Sequence, residues 1–400
     1  MFKHLVTQHF AAAGITIGGR SPWDMRLTPG REGRFYRRVA LLHSLGLGRA
    51  YMDGDFECDD LVEMLARMIN ASLKRKQAKL RKSPRWKWVF TLPHTLPDAM
   101  IWLKLKTTNQ QDIVRAQRVA HHYNVGNTLY RIMLGASMAY SCGYWPGAHN
   151  LDDAQFAKYR HICKKSGLKA GMRVLEIGGG WGGLAAYAIE NFGVEVVMVT
   201  ISKEQHDYVR EKYAKLIEAG KLTVLLEDYR KIPERYPDEH FDRIFSVGMF
   251  EHVGPDNYEE YMRIAWLVLK RGGKFLLHTI VGSGHGPDPF LWYYIFPGGV
   301  LPTEGQITEA ARTYFVIEHM ENFGYDYYKT TIAWRENFRA GWQQLLESGK
   351  YDERFRRMWE HYLASCAAVF RERRVQLQQW MLSKGGEPGG FQWGRMTYAS

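Results

Sequence analysis

The chain has 400 residues, of which 46% are hydrophobic and 14% aromatic, enough to bury a sizeable core in two domains. It contains no run of about 18 apolar residues, so no membrane-spanning helix is expected. Residues 1–120 carry nearly all of the formal net charge of +12, with 21 Lys and Arg against 10 Asp and Glu. This asymmetry predicts an anionic partner for the N-terminal part of the chain, either a membrane surface or a nucleic acid.

The N-terminus and the cysteines bear on the compartment. The first 20 residues contain one Lys and a broken apolar run, which makes a poor signal peptide. The cysteines are far apart and form no CxxC pair; they are Cys58, Cys142, Cys163 and Cys366. We therefore expect reduced thiols in a cytoplasmic protein, with neither a disulfide framework nor a zinc site.

A hairpin and an amphipathic helix are predicted near the front of the chain. AYMDGDFE, residues 50–57, has an Asp-Gly turn signal between two short extended runs, which predicts the hairpin. The helix follows, with Asp60 and Glu63 as a capping box. Its apolar residues recur at helical spacing and are Leu61, Met64, Leu65, Met68 and Leu73.

This helix runs into the most basic segment of the chain. Residues 73–89, LKRKQAKLRKSPRWKWV, contain eight Lys and Arg together with Trp86 and Trp88. Tryptophan beside basic residues suits a membrane interface, because the ring sits at headgroup level while the cations meet anionic lipid. Two alternatives remain: a helix packed on its own domain with a solvated basic face, and a nucleic-acid contact.

From about residue 150 the pattern changes to alternating strands and helices. The predicted strands are MRVLEIG, VEVVMVTIS, LTVLLED, FDRIFSVGM and KFLLHTI, and the predicted helices are WGGLAAYAIENF, KEQHDYVREKYAKLIEAG and NYEEYMRIAWLVLKRGG. Such alternation predicts a parallel sheet covered by helices on both faces. Residues 351–383 are expected to be helical and amphipathic throughout.

The glycine-rich stretch EIGGGWGG, residues 176–183, follows the first of these strands and opens a helix. Glycines there let a ligand approach the backbone and the free N–H groups of the helix start. A dinucleotide fingerprint needs an acidic residue about 20 positions later, and that place falls in MVTIS. The pattern of Glu176, Gly178, Gly180 and Gly182 instead favours S-adenosylmethionine, with Asp228 at the next acidic strand end meeting the adenine.

Motifs spread over about residues 40–385 resemble, in order, those of the cyclopropane fatty acid synthase family. They are SLGLGRAYMDGDFECDDL, HHYNVGNTLY, YSCGYW, MRVLEIGGGWGGLA, VTISKEQ, FDRIFSVGMFEHVG, FLLHTI, YIFPGG, FGYDYYKTTIAW and CAAVFRERRVQLQQ. Two local departures are Asn124, where the family has Asp, and Gly179, where it has Cys. Neither departure removes an expected catalytic group.

The resemblance implies an α/β fold of the class I S-adenosylmethionine-dependent methyltransferases, a doubly wound, mostly parallel sheet with a smaller, mainly helical basic N-terminal domain. We expect a lipid-docking domain at 1–110 and a catalytic domain with C-terminal helices at 111–400. The implied reaction transfers a methylene group from S-adenosylmethionine to the cis double bond of an unsaturated phospholipid acyl chain. The implied localisation is cytoplasmic, with peripheral association of the protein with anionic phospholipid on the inner face of the cell membrane. Some members of the family are homodimers.

The resemblance also assigns site residues by motif. A bicarbonate ion beside the reacting carbon would be held by Cys142, Glu251, His278, the backbone of Ile280, and Tyr327. Contacts to S-adenosylmethionine beyond the glycine loop and Asp228 fall on Tyr140, Ser141, Thr200, Ile201 and Gln205. No metal ligand is expected.

The chemistry explains why such residues are needed. An alkene is a feeble nucleophile, so the methyl sulfonium must be held in line with it and water kept out. The acyl chain then bears a carbocation, and a proton must leave the new methyl group before the ring closes. A small anion held by several hydrogen-bond donors can serve as the base, so that neither an unpaired buried carboxylate nor free water is needed. Cys142 is therefore expected to hold the anion, and the faces of Tyr140 and Tyr144 to stabilise the cation.

Several alternatives stay open at this point. Cys142 is also explained as a buried structural thiol. A related lipid methyltransferase would leave a methyl branch, a hydroxyl or a methoxy group instead of a ring. A nucleic-acid methyltransferase is the less favoured enzyme, because the chain has no Pro-Cys pair and no Asn/Asp-Pro-Pro-Tyr loop. A protein that binds lipid or S-adenosylmethionine without turnover is the non-catalytic alternative.

Overall fold

The computed structural model of the chain describes residues 2–82, 99–100, 103, 126–284 and 286–393, with the backbone alone for 75–82. The predicted interfacial residues Trp86 and Trp88 and the family departure at Asn124 lie outside this range. The chain divides into two compact units. The first comprises residues 1–122, 283–299 and 327–375, and the second 123–282, 300–326 and 376–400. The functional division at residue 110 stays a prediction.

The first unit is mainly helical. Its helices are Phe2–Ala11, Glu32–Met52, Leu61–Lys82, Pro289–Tyr294, Trp342–Glu347, Glu353–Arg371 and most of Gly324–Ala340. Two short strands, β1 (Arg26–Leu27) and β2 (Phe56–Glu57), pair antiparallel. The core of this unit is built from large apolar side chains of these elements, including Phe10, Phe35, Phe56, Met64 and Ala367.

The hairpin predicted at residues 50–57 is wrong. Tyr51 and Met52 are buried in the last turn of the helix Glu32–Met52, and β2 pairs with β1 from earlier in the chain. The Asp-Gly signal does mark a turn, because Gly54 has φ +68° there. The turn thus ends a helix, because burial of the helical face outweighs the local hairpin signal.

The predicted amphipathic helix is present as Leu61–Lys82. Its residues Leu61, Met64 and Leu65 are buried in the core of the unit, so the first half of the helix packs on its own unit. Only half of the capping box forms: Asp60 Oδ1 accepts from the Glu63 N–H at 2.9 Å. The Glu63 carboxylate turns away and accepts from Arg67 and Arg371, at 2.7 Å each.

The second unit contains a seven-stranded sheet. Its strands are β3 (Arg173–Ile177), β4 (Glu195–Thr200), β5 (Leu222–Leu226), β6 (Phe241–Val247), β7 (Leu269–Val281), β8 (Val316–Asn322) and β9 (Gln376–Ser383). The order is β5-β4-β3-β6-β7-β9-β8. Neighbours from β5 to β7 are parallel, and β9 runs antiparallel to both β7 and β8.

Helices cover both faces of this sheet. The described helices of this unit are Asn127–Leu134, Leu151–Lys165, Gly183–Phe192, Lys203–Lys212, Ala214–Glu218, Ile232–Arg235, Tyr258–Val268 and Glu304–Ala311. Alternate residues of one strand enter different cores, as side chains of a strand point to opposite faces. Val197 and Val199 belong to one core, whereas Val196 and Met198 belong to the other. The predicted doubly wound, mostly parallel sheet is therefore confirmed.

The prediction that residues 351–383 are helical throughout is wrong in its last part. The helix Glu353–Arg371 is followed by β9, which inserts between β7 and β8. Leu377, Trp380, Met381 and Leu382 are all buried in β9. Nearly every side chain of β9 is buried, polar ones included, and local periodicity does not distinguish such a short buried strand from a continued helix. No helix in the described ranges is long and apolar enough to cross a membrane.

Candidate functional site

The glycine loop joins β3 to the helix Gly183–Phe192 at the carboxyl edge of the parallel strands. Gly178, Gly180 and Gly182 have φ values of +81°, +55° and +78°, in the region that favours glycine. A Cβ on Gly178 would lie 2.8 Å from Met249 Cγ, whereas one on Gly180 would meet nothing within 4 Å. The backbone at Gly180 therefore borders open space beside a helix start, which suits the close approach of a ligand.

Glu176, the acidic residue of the glycine motif, lies buried in β3. Burial raises the pKa of its carboxyl group to about 8, against the opposing charge of Lys158. Its Oε2 has no hydrogen-bond partner among the described residues. The carboxyl group therefore lies buried at the base of the loop, near the side chain of Lys158.

β4 ends at Thr200, directly beside the glycine loop, since the N–H groups of Gly178 and Gly179 donate to Val199 O at 2.9 and 3.2 Å. Thr200 Oγ1 donates to Gln205 Oε1 at 2.8 Å, so the structure brings these two predicted residues together. Ile201 is 51% exposed between them. The predicted contacts of Thr200, Ile201 and Gln205 with the nucleoside stay predictions, but the three residues share the edge that carries the loop.

Asp228 follows β5, and the strand end next to it is tied to β4 by the Glu227 N–H, which donates to Thr200 O at 3.1 Å. The Asp228 carboxylate accepts from the Arg230 backbone at 3.0 Å and forms an ion pair with its guanidinium. Asp228 therefore stands at the predicted edge with a cationic partner, and its contact with adenine stays a prediction.

The loop that carries Tyr140, Ser141 and Cys142 lies between the helices Asn127–Leu134 and Leu151–Lys165. Ser141 O accepts from Gln155 Nε2 at 2.9 Å, and Ser141 Oγ accepts from Lys158 Nζ at 2.7 Å. Cys142 is fully buried, and its thiol donates to Gly143 O at 3.1 Å. The buried side chains of Gln155 and Lys158, on the helix Leu151–Lys165, therefore hold this loop in place through hydrogen bonds.

The loop adjoins the end of β6, because a Cβ on Gly248 would lie 3.7 Å from Ser141 Cβ. The Tyr140 ring meets Tyr130 edge-on at 5.3 Å, and Tyr130 in turn contacts Trp181 of the glycine loop at 4.8 Å. The structure thus places the Tyr140–Cys142 segment beside both β6 and the glycine loop, and the predicted contacts of Tyr140 and Ser141 with the co-substrate stay predictions.

Lys158 and Gln155 were not predicted as site residues. Lys158 is almost fully buried, and burial lowers the pKa of its ammonium group to about 7. A pattern in the sequence could have indicated both Lys158 and Gln155. Gln155, Lys158, Ile162 and Lys165 follow helical spacing, which puts two lysines on a face that also carries buried apolar residues.

Glu251 stands in the short helical turn Phe250–His252 that follows β6. Its Oε1 accepts from the Ile280 N–H at 2.7 Å, so two predicted residues are in direct contact. Burial raises the pKa of this carboxyl group to about 7. Within the described part of the chain, its Oε2 has no hydrogen-bond partner. The neighbouring His252 is partly buried, and desolvation lowers its pKa to about 4.

His278 lies in β7, level with Val247 at the end of β6, and its carbonyl accepts from the Gly248 N–H at 2.9 Å. The side chain is 1% exposed, and burial lowers its pKa well below 6.5, so the ring is neutral at pH 7. Its Nε2 meets no hydrogen-bond partner in the described ranges. Glu251 contacts the Ile280 N–H, and His278 lies two residues before Ile280 on the same strand; these three residues are called the cluster below.

Tyr327 belongs to the first unit, on the helix Gly324–Ala340. It is buried, and its ring stacks on Phe370 with centroids 4.3 Å apart. The assignment of Tyr327 to the same anion as the other four residues stays a prediction.

Comparisons with known proteins identify the family of the chain. The family model described as mycolic acid cyclopropane synthetase matches residues 110–380. The chain is 43% identical over 389 residues to the cyclopropane-fatty-acyl-phospholipid synthase of Escherichia coli, covering 96% of this chain and 94% of that one. It is 34% identical over 278 residues to a probable fatty acid methyltransferase of Pseudomonas putida, covering 67% and 69%.

A solved structure of similar fold is the mycolic acid cyclopropane synthase CmaA1 complexed with SAH and CTAB. It aligns with a TM-score of 0.61 and 31% identity, covering 66% of this chain and 97% of that one. The resemblance drawn from the motifs and the expected fold class are both confirmed. The chain belongs to the mycolic acid cyclopropane synthetase family and has the class I S-adenosylmethionine-dependent methyltransferase fold.

Proposed function

We propose that the protein is a cyclopropane-fatty-acyl-phospholipid synthase, which transfers a methylene group from S-adenosylmethionine to the cis double bond of a phospholipid acyl chain. The observation that carries this proposal is the buried cluster of Glu251, Ile280 and His278 at the carboxyl ends of β6 and β7. The likeness to the Escherichia coli enzyme over nearly the whole chain supports the substrate class.

The co-substrate would bind at the glycine loop, on the same edge of the sheet as this cluster. The glycine loop offers backbone at Gly180 that borders open space, and Thr200 at the adjacent strand end is hydrogen-bonded to Gln205 of the next helix. Binding there would hold the methyl sulfonium at the edge where ligands meet open α/β sheets. Holding it in line with the double bond supplies much of the rate, because the alkene is a weak nucleophile.

The cluster fits a bicarbonate ion on the chemistry of its atoms. Glu251 Oε2 is a buried acceptor and His278 Nε2 a buried ring nitrogen, and both lack partners among the described residues. Bicarbonate has oxygens that accept and one hydroxyl that donates, so it complements such a pair. When bound, it would supply a weak base in a dry site. Glu251, His278 and the thiol of Cys142 would hold it.

Aromatic side chains near the loop would protect the cationic acyl chain from water. Tyr140, Tyr130 and Trp181 form a connected group beside the glycine loop. Tyr144 stacks on His161 at 4.4 Å and meets Phe323 edge-on at 5.5 Å, so it belongs to a second aromatic group that would stabilise a cation. An apolar, aromatic wall lowers the chance that water captures the carbocation before the proton leaves.

The direct test is turnover with labelled S-adenosylmethionine and vesicles of unsaturated phospholipid. Mass spectrometry of the fatty acids should show a gain of one CH₂ that resists mild hydrogenation, and NMR should show a ring. Unlabelled lipid in this assay would refute the proposal. A methyl branch is the second candidate product, favoured by the likeness to the probable fatty acid methyltransferase, and the same NMR spectrum identifies it.

Docking to anionic phospholipid on the inner face of the membrane is part of the proposal. The support is the charge of residues 1–120 and the basic run that ends the helix Leu61–Lys82. A nucleic-acid substrate has no support among the relatives named above. A homodimer is proposed on the family likeness alone, and light scattering measures it.

The docking test compares two triple Lys→Glu variants with equal change of charge. One alters Lys74, Lys76 and Lys79; the control alters the exposed residues Lys164, Lys169 and Lys215. The first should lower sedimentation with anionic vesicles while keeping activity on detergent-dispersed lipid, since only the surface attraction is lost. Equal losses in both assays would show that the basic segment is structural, and equal losses of vesicle binding in both variants would show that overall charge, not this segment, drives the docking.

A further inference from the structure

Three polar side chains lie in one row across the last three strands of the sheet. His278 on β7 is paired with Gln379 on β9, and Gln379 is paired with Glu321 on β8. Residues directly opposite each other on neighbouring strands project from the same face of a sheet. Gln379 Nε2 accordingly lies 3.4 Å from His278 Nδ1. The row therefore leads from the candidate site toward the edge of the sheet.

Lys165 joins this row from the end of the helix Leu151–Lys165. Its side chain is fully buried, and its Nζ donates to Gln379 Oε1 at 3.1 Å and to Glu321 Oε2 at 3.0 Å. The His161 Nε2 lies 2.9 Å from the same Glu321 oxygen. Burial raises the pKa of Glu321, but His161 and Lys165 outweigh it and bring the pKa to about 2. Lys165 is thus anchored by an ionised carboxylate.

The ammonium group of Lys165 decides which way the Gln379 amide points. An ammonium donates three hydrogen bonds and accepts none, so the Gln379 atom that faces it is the oxygen. The amide nitrogen then faces His278, and an amide nitrogen only donates. His278 Nδ1 must therefore accept. Because the ring is neutral, its single proton has to be on Nε2.

We infer that Lys165 and Gln379 are positioning residues that hold His278 in the tautomer with its proton on Nε2, so that the site receives a hydrogen-bond donor. The Nε2 atom is the one that is buried without a partner in the described chain. A donor at this place suits an anion, and the opposite tautomer would present a lone pair that repels it. The use of the donor rests on the proposed function, whereas the tautomer does not.

The test is NMR of the full-length enzyme labelled with ¹⁵N-histidine, without lipid or S-adenosylmethionine. The His278 signals are assigned by their absence from a His278→Asn variant, and the ring ¹⁵N shifts report which nitrogen carries the proton. The wild-type protein should show His278 with the proton on Nε2. Lys165→Met and Gln379→Leu should each show a mixture of tautomers, because the amide orientation or the donor is lost.

Activity gives a second readout. Lys165→Met should lower kcat about tenfold while the affinity for S-adenosylmethionine stays unchanged, as expected when one hydrogen bond to the anion is lost. Lys384→Met is the matched control, because it also removes a buried ammonium, which donates to Trp266 O at 2.9 Å and Leu269 O at 2.8 Å. The control should keep both the tautomer and kcat.

Two results overturn the inference: a wild-type ring protonated on Nδ1, and both variants retaining a single Nε2–H tautomer. The wild-type spectrum alone shows whether the ring is protonated on Nδ1, so the inference can be refuted even if a variant does not fold. Failure of the proposed function has a different signature. In that case the wild-type enzyme would label no lipid while His278 still carried its proton on Nε2.

Discussion

Replacing Glu251 by Gln tests the acid–base cluster directly. The amide Oε1 keeps the acceptor that the Ile280 N–H uses at 2.7 Å, so the local backbone should be retained. The variant loses the ability of Oε2 to accept a hydrogen bond or a proton, since an amide nitrogen only donates. We expect kcat to fall by about 100-fold or more, the low end of what a positioned acid or base contributes. Binding of S-adenosylmethionine should persist.

The same variant should change the stability in a pH-dependent way. Burial raises the pKa of Glu251 from 4.5 to about 7 in the folded state. Each tenfold change in an acid dissociation constant is worth about 1.4 kcal/mol, so ionisation costs the folded state about 3 kcal/mol. This cost is absent below pH 4.5, grows as the pH rises from there, and is complete above about 7. Glu251→Gln should therefore gain stability over the wild type at pH 8 and little at pH 5.

Urea unfolding at pH 5 and pH 8 measures this gap, and calorimetry measures the affinity for S-adenosylmethionine. Glu218→Gln, at an exposed position, is the control and should leave both quantities unchanged. Turnover equal to that of the wild type would refute the role of Glu251 in the reaction. A stability difference that is the same at both pH values would refute the argument from its buried carboxyl group.

The further predictions concern four single residues of the site. Cys142→Ser should keep kcat within about tenfold, because a hydroxyl also donates, whereas a nucleophilic thiol would make this variant inactive. Gly178→Ala should lower the free energy of unfolding by about 2 kcal/mol or more, from positive φ and a methionine carbon 2.8 Å away. Gly180→Ala should cost only about 1 kcal/mol, because only φ opposes it. Tyr327→Phe keeps the ring stack, so the unfolding temperature should stay close to that of the wild type. The kcat value should fall, because the hydroxyl that holds the anion in the proposal is lost.

Features that depend on residues close together in the sequence were predicted correctly. Strands β3 to β6 and the glycine loop follow from apolar runs bounded by turn signals and from the spacing of Gly178, Gly180 and Gly182. Both depend on contacts within a few residues. The order of motifs along the chain then identified the family, which local pattern alone does not do.

Residues whose role depends on distant partners were missed or misassigned. β9 was expected to be helical, because its pairing with β7 and β8 joins residues that are far apart in sequence. β2 was assigned to a local hairpin for the same reason. Lys158 and Lys165 were not recognised, since a lysine in a helical pattern is normally exposed and only its burial against Ser141 or Gln379 gives it a role.

By itself, the sequence determined the class of fold, the glycine loop and the family, because strand and helix periodicity and motif order are local or linear properties. Tertiary structure alone decided that Glu251 contacts the Ile280 backbone and that Lys165 reaches His278 through Gln379. The physical reason is that a buried polar group is stable only when folding brings it a partner. Which partner that is depends on the register of the sheet and on the helix packed over it.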